Sequence, residues 1–190
     1  SAFIVLSPLI GMALGSSLMI ATAWIVRRFR PGRVDGWFRK LQLVSSAIFS
    51  SRHGSNDAPK VMGIIAGILS GTIWSDRPFH VTWWIVLLTH TAIALGTFFG
   101  GWRIVRTMGY GLTKLQPIGG FAAETGGGVT ILFLSHLGIP VSTTHTITGA
   151  IVGVGATKGY RAVRWGLAGR IIWAWIFTIP ASALVAAAVY

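Results

Sequence analysis

Five long apolar runs joined by short basic connections constrain this chain more than any other feature. They extend from Ala2 to Val26, Leu41 to Trp74, Val81 to Gly101, Ile118 to Thr157 and Trp165 to Tyr190. A helix rises about 1.5 Å per residue, so roughly 20 apolar residues cross the hydrocarbon of a bilayer. Every run reaches that length, and the second and fourth exceed it. With 53% hydrophobic and 11% charged residues among 190, the chain has little polar surface to offer water. It is expected to be an all-α integral membrane protein, with residues 1–190 forming a single transmembrane domain.

The net charge of +12 and a pI near 11.7 would suggest nucleic-acid binding in a soluble protein. Here the basic residues stand in blocks between the apolar runs: six from Arg27 to Lys40, three from Arg103 to Lys114 and four from Lys158 to Arg170. That is the positive-inside pattern of a multi-pass membrane protein, which places these connections in the cytoplasm and predicts no nucleic-acid partner. The connection Ser75 to His80 has only Arg77, offset by Asp76, and is expected outside. Both termini then lie outside, provided that Ile118 to Thr157 enters the membrane and returns as a hairpin. Trp37, Trp102 and Trp165 fall at the inner boundaries and Trp74, Trp83 and Trp84 at the outer ones, as amphipathic rings do. The segment Arg27 to Lys40, with Phe29, Trp37 and Phe38, could hold anionic lipid headgroups, although a topology-setting loop is the simpler expectation. The absence of cysteine excludes disulfides and thiolate metal sites. Because Ser1 opens the chain and no basic stretch precedes the first run, a fragment of a longer protein is expected.

The second run is interrupted by Ser51, Arg52, His53, Gly54, Ser55, Asn56, Asp57, Ala58 and Pro59. Open backbone inside a membrane survives only where protein buries it or where it lines a wet cavity. A broken helix is therefore expected, with Pro59 in the first turn of its second half and Asn56, Asp57 or Ala58 at the cap. The free amides of such a break favour an anion, while Asp57 and loosened carbonyls offer oxygens to a cation. The alternative is a kinked helix whose polar residues satisfy one another. The fourth run repeats the device: Gly138, Ile139 and Pro140 stop one helix, and Val141, Ser142, Thr143, Thr144 and His145 open the next. Three hydroxyls beside free amides make an oxyanion cradle, unless they serve only as caps. The glycines Gly149 and Gly153 leave a flat strip for close helix contact.

Glu124, one of four acidic residues, lies within an apolar run, where a carboxylate is expected to be functional or to pair with a basic neighbour. His90 and His136 are expected to be hydrogen-bonded helix histidines. His53 and His145 flank the two breaks and could serve either a site or a cap.

Taken in order, the strings His53 to Ile65 and Pro140 to His145, with Gly120-Phe121 leading into Glu124, resemble the PiT family of inorganic phosphate transporters. That family has two inverted repeats, each with a G-x-N-D sequence at a helix break and a P-x-S-T-x-H-like hairpin start. The resemblance covers nearly the whole chain and implies one inverted-topology repeat, the C-terminal one. It implies that Asn56, Asp57 and Glu124 belong to the substrate and coupling-ion region, and that Ser142, Thr143 and Thr144 contact phosphate. Where the family often follows G-x-N-D with an amide-bearing residue, this chain has Pro59 and Lys60.

The function these features imply is a symporter moving inorganic phosphate across the cell membrane, coupled to H⁺ or Na⁺. The phosphate would travel alone or as a complex with a divalent metal, and no resident cofactor is expected. The partners implied are phosphate, membrane lipids, the other inverted repeat, and a second copy of the complete protein in a homodimer. Three competing functions remain. One is a carrier of another oxyanion such as sulfate. A second is an intramembrane hydrolase with Ser142 or Ser55 as nucleophile and His145 or His53 as base. The third is a noncatalytic scaffold subunit, in which intramembrane Asp57 and Glu124 would have no task.

Overall fold

The computed structural model describes residues 3–72 and 80–189. The expected outer loop from Ser75, with Asp76, Arg77 and the flanking Trp74, lies outside the described residues apart from His80. Six α-helices follow in order: α1 (Phe3–Val26), α2 (Pro31–Thr72), α3 (Trp83–Val105), α4 (Pro117–His136), α5 (Thr143–Ala156) and α6 (Trp165–Val189). A π-helical stretch, Arg106–Leu112, prolongs α3, and a short 3-10 turn, Tyr160–Ala162, precedes α6. No strand occurs among the described residues. The five apolar runs thus map onto helices in order, with the fourth as the α4–α5 hairpin. Among the described residues, four helices are long and apolar enough to cross a membrane: α1, α3 with its π-helical extension, α4 and α6. The chain is an all-α integral membrane protein.

The second run departs from the sequence expectation. Helix α2 is continuous over 42 residues with Pro59 inside it, about 63 Å of helix or twice the hydrocarbon thickness. No second helix begins at Pro59, and Asn56, Asp57 and Ala58 cap nothing. The reason lies in what surrounds the polar cluster. Ala58, Met62 and Ala66 bury one face of α2 against Ile85 of α3. On another face Asn56 and Lys60 bond to Val141, next to the start of α5. With polar side chains satisfied from outside the helix, the backbone has no need to open. Pro59 then costs mainly the helical partner of the Ser55 carbonyl. Of the two alternatives, the kinked helix with mutually satisfied polar residues is the closer, with the hairpin supplying part of the satisfaction.

The segment Arg27 to Lys40 is mostly helix as well, since α2 starts at Pro31, where a proline loses no hydrogen bond. Phe38 is buried and packs edge-on against Phe121 of α4, with ring centroids 5.4 Å apart, so it fastens α2 to α4 and does not face lipid.

The core is formed by α1, α4 and α5 through small residues. Cβ atoms placed on Gly149 and Gly153 would run into the carbonyl oxygens of Pro8 and Met12, and one on Gly11 would meet that of Thr146. A Cβ on Gly126 of α4 would likewise crowd the backbone nitrogen and Cα of Gly15 of α1, at 2.8 and 2.9 Å. In lipid, where apolar burial between helices gains little, such backbone proximity is what holds helices together.

The basic connections meet at one end of the molecule. The N–H of Arg164 donates to the Leu112 carbonyl at 3.0 Å, the Thr113 hydroxyl donates to the Ala162 carbonyl at 3.0 Å, and Pro31 and Asp35 share a cleft with Gln116 and Ile118. This is the gathering that positive-inside topology requires.

Candidate functional site

The hairpin tip is built by two helix ends. Helix α4 closes with a Schellman turn: Gly138 takes φ +70°, its N–H donates to the Ser135 carbonyl at 3.0 Å, and the Ile139 N–H donates to the Leu134 carbonyl at 3.0 Å. Leu134 and Ile139 pack in the same apolar cluster, the contact that accompanies this motif. Helix α5 opens on Ser142, whose Oγ accepts the N–H of His145 at 3.4 Å. The amides of Thr143 and Thr144, in the first turn, have no acceptor within the helix.

The tip meets α2 at the polar cluster. Thr143 is buried, and its hydroxyl donates to Asp57 Oδ2 at 3.1 Å. Asp57 Oδ1 accepts Lys60 Nζ at 3.0 Å and Asn56 Nδ2 at 3.0 Å, and His53 Nε2 lies 3.5 Å from Oδ2. The Val141 carbonyl accepts the same two donors, Asn56 Nδ2 and Lys60 Nζ, each at 3.1 Å. Asn56, Asp57 and Thr143 are therefore brought together as the sequence suggests. Asp57 is not an open oxygen ligand, however, because a lysine ammonium already stands against it.

Beside this junction is a cleft of about 350 Å³ lined by Arg52, Ser55, Asn56 and Lys60 of α2 and by Ser135, Ile139 and Pro140 of the hairpin. Two cations, Arg52 and Lys60, line the cleft, and the one carboxylate beside it, Asp57, pairs with Lys60, so the local charge is positive and an anion is favoured. Sequence reasoning missed Arg52, Lys60 and Ser135 as lining residues. The usable signal was the spacing of Asp57 and Lys60, which share a helix face only if the helix runs on through Pro59.

Other expected residues lie elsewhere. Ser142 is engaged as a cap, and Thr144 is exposed, with its carbonyl accepting the Thr148 hydroxyl at 2.6 Å. The three hydroxyls do not converge into one cradle. Glu124 is half-buried, and its Oε2 accepts the Ser45 hydroxyl of α2 at 2.6 Å. Ser45 precedes Asp57 by 12 residues on the same helix, about 18 Å along its axis. Glu124 thus belongs to a second polar position, with the Ser45 hydroxyl and the Gln42 side chain as partners and no basic partner among the described residues. The His145 ring stacks on Trp175 of α6 at 3.8 Å between centroids, and His90 Nδ1 lies 2.8 Å from the Val86 carbonyl as a helix histidine does. With Ser142 capping a helix and the His145 ring turned onto α6, this pair is not a nucleophile and its base.

Residues 1–186 match the sequence pattern of the phosphate transporter family. A Rhizobium meliloti (strain 1021) protein named "Probable low-affinity inorganic phosphate transporter" is 54% identical over 187 residues, covering 98% of this chain and 56% of that protein. A Bacillus subtilis (strain 168) protein of the same name is 36% identical over 187 residues, with the same coverage. The chain spans about half the length of the curated relatives it matches. Among solved structures, one titled "The sodium-dependent phosphate transporter" is similar in fold, with a TM-score of 0.67 and 24% identity, over 94% of this chain and 53% of that one.

Proposed function

This chain belongs to the phosphate transporter family, and on that footing we propose that it forms one inverted-topology repeat of a secondary carrier for inorganic phosphate in the cell membrane. The observation that carries this reading is the junction at which the first turn of α5 meets Asp57 of α2 beside the cleft lined by Arg52 and Lys60. A phosphate dianion needs cations to balance it and donors to orient it. The two side chains supply the charge. The free amides of Thr143 and Thr144, at the positive end of the α5 dipole, supply fixed donors. Asn56 sits between the two elements, and Thr143 couples the α5 start to the Asp57 carboxylate. Ser142 holds the turn, and the exposed Thr144 hydroxyl is free to turn toward substrate.

The coupling ion, H⁺ or Na⁺, is assigned to the two carboxylate positions: a proton to Asp57 with Asn56 at the junction, where an ammonium already stands against the carboxylate, and H⁺ or Na⁺ to Glu124, beside Ser45 about 18 Å back along α2. Asp57 is one third exposed and Lys60 nearly half, so the junction stands open on one side of this chain. We assign the cover to the other repeat of the same protein, oppositely oriented as an inverted pair requires. The cargo is phosphate itself or its complex with a divalent metal, and the complete protein pairs with a second copy.

The test is uptake of radiolabelled phosphate by proteoliposomes containing the full-length protein, with a pH or a Na⁺ gradient imposed. Concentrative uptake that excess sulfate leaves unchanged supports the proposal. Uptake absent under both gradients, or blocked equally by sulfate, refutes it.

A further inference from the structure

At the junction two donors bridge two acceptors: Lys60 Nζ and Asn56 Nδ2 each bond both to Asp57 Oδ1 and to the Val141 carbonyl, at 3.0 to 3.1 Å. A carboxylate oxygen and a backbone carbonyl facing each other beside a hydroxyl are the hard oxygen ligands that an alkali cation takes from a protein. Here that position holds an ammonium instead. We infer that Lys60 is a tethered counter-cation, filling the place a free monovalent cation would occupy between Asp57 and Val141 and making this site indifferent to Na⁺. The inference deepens the transport reading and rests on it only for its consequence in uptake.

Three features support it. First, Lys60 follows Asp57 by three residues, and its reach to the carboxylate depends on α2 staying helical through Pro59. A break there would turn the ammonium away, so the continuous helix and the lysine act as one device. Second, Arg52 lines the adjoining cleft, and a Na⁺ added beside both Arg52 and Lys60 would face two like charges for one carboxylate. Third, a cation on the chain itself is present at a local concentration that a free ion must reach in solution. The ammonium therefore competes with Na⁺ at every ionic composition of the medium.

The experiment is thermal unfolding of the purified full-length protein in detergent, without phosphate, in NaCl or in KCl at equal concentration. Removing the ammonium in Lys60→Gln should open the position. At Na⁺ about ten-fold above its Kd, Na⁺ should raise the unfolding midpoint by about 2 °C more than it does in the unsubstituted protein. Adding Asp57→Asn to Lys60→Gln should abolish that gain, whereas Lys60→Arg should show none. Recovery of folded Lys60→Gln only from Na⁺-containing buffer would support the inference in the same way. A Lys60→Gln protein with no greater Na⁺ response than the unsubstituted one, or one that cannot be recovered in either salt, overturns it, because a free cation then does not replace the lysine. Neither result depends on whether the protein carries phosphate, which the uptake experiment decides separately.

Discussion

The Thr143 hydroxyl, in the first turn of α5, donates a hydrogen bond to the Asp57 carboxylate of α2 at 3.1 Å across 86 residues of sequence. Three independent features hold Thr143 at that point: the Schellman turn on Gly138, the Ser142 cap, and the seam of small residues that presses α5 onto α1. Each can be disturbed separately, and the predictions follow from that separation.

The seam should be intolerant of any added atom. Gly149→Val and Gly153→Val place carbon atoms where the Pro8 and Met12 carbonyls stand, and overpacking of this kind costs about 1–3 kcal/mol or more. Both should lower the thermal stability of the detergent-solubilised protein. Gly63→Ala, with nothing within 4 Å of the new methyl, should be neutral or gain about 0.5–1 kcal/mol from helix propensity. Equal melting temperatures for all three variants would contradict the packing described.

The turn should respond to its backbone alone. Gly138 has φ +70° and open space around its Cα, so Gly138→Ala meets no side chain and suffers only left-handed strain, about 1–2 kcal/mol. The expected result is a modest loss of stability, with Gly138→Asn less affected than Gly138→Ala. A Gly138→Ala protein as stable as the unsubstituted one would show that the turn does not need its left-handed glycine.

The two carboxylates should differ in how they fail. Asp57→Asn and Glu124→Gln are each expected to abolish uptake with membrane insertion intact, as intramembrane carboxylates are retained for ions or protons. Asp57 and Lys60 are in contact, so the stability effects of Asp57→Asn and Lys60→Gln should be non-additive, whereas Glu124→Gln, whose partner Ser45 lies about 18 Å from Asp57 along α2, should add to either within about 0.5 kcal/mol. Wild-type uptake in Asp57→Asn or Glu124→Gln would remove that residue from the transport path.

Orientation should follow the basic end of the bundle. Cysteines introduced as Arg33→Cys and Arg161→Cys, both at exposed positions, should react with impermeant reagent only from the cytoplasmic side, and Val81→Cys only from outside. Labelling of all three from one side would overturn the topology.

Much of this arrangement was legible in the sequence because membrane burial acts on whole segments. The five apolar runs, their basic connections and the hairpin at Gly138 to Ser142 depend on length, charge and turn chemistry, all local properties. The continuity of α2 was not legible. Polar residues around Asn56 and a proline at 59 signal a break when read alone, and whether the backbone opens depends on which distant groups satisfy the side chains. Those groups, the Val141 carbonyl and the Thr143 hydroxyl, lie more than 80 residues away. The separation of Glu124 from Asp57 was hidden for the same reason, since it depends on Ser45 and Asp57 sharing one continuous helix. Lys60 stood in plain view, but a helix break at Pro59 leaves it without a role.

The most direct measurement of the central claim is the phosphate concentration dependence of uptake by proteoliposomes carrying the full-length protein with Thr143→Val and, beside it, Thr143→Ser. Valine keeps the shape and removes the hydroxyl that reaches Asp57, and the loss of a hydrogen bond to a charged group is worth about 1.5–3 kcal/mol. Thr143→Val should therefore raise KM or lower kcat/KM by about ten-fold or more, while Thr143→Ser, which retains the hydroxyl, should stay within about three-fold of the unsubstituted protein. Unchanged KM and kcat in Thr143→Val, with the protein folded and inserted, would contradict the assignment of the α2–α5 junction as the phosphate site.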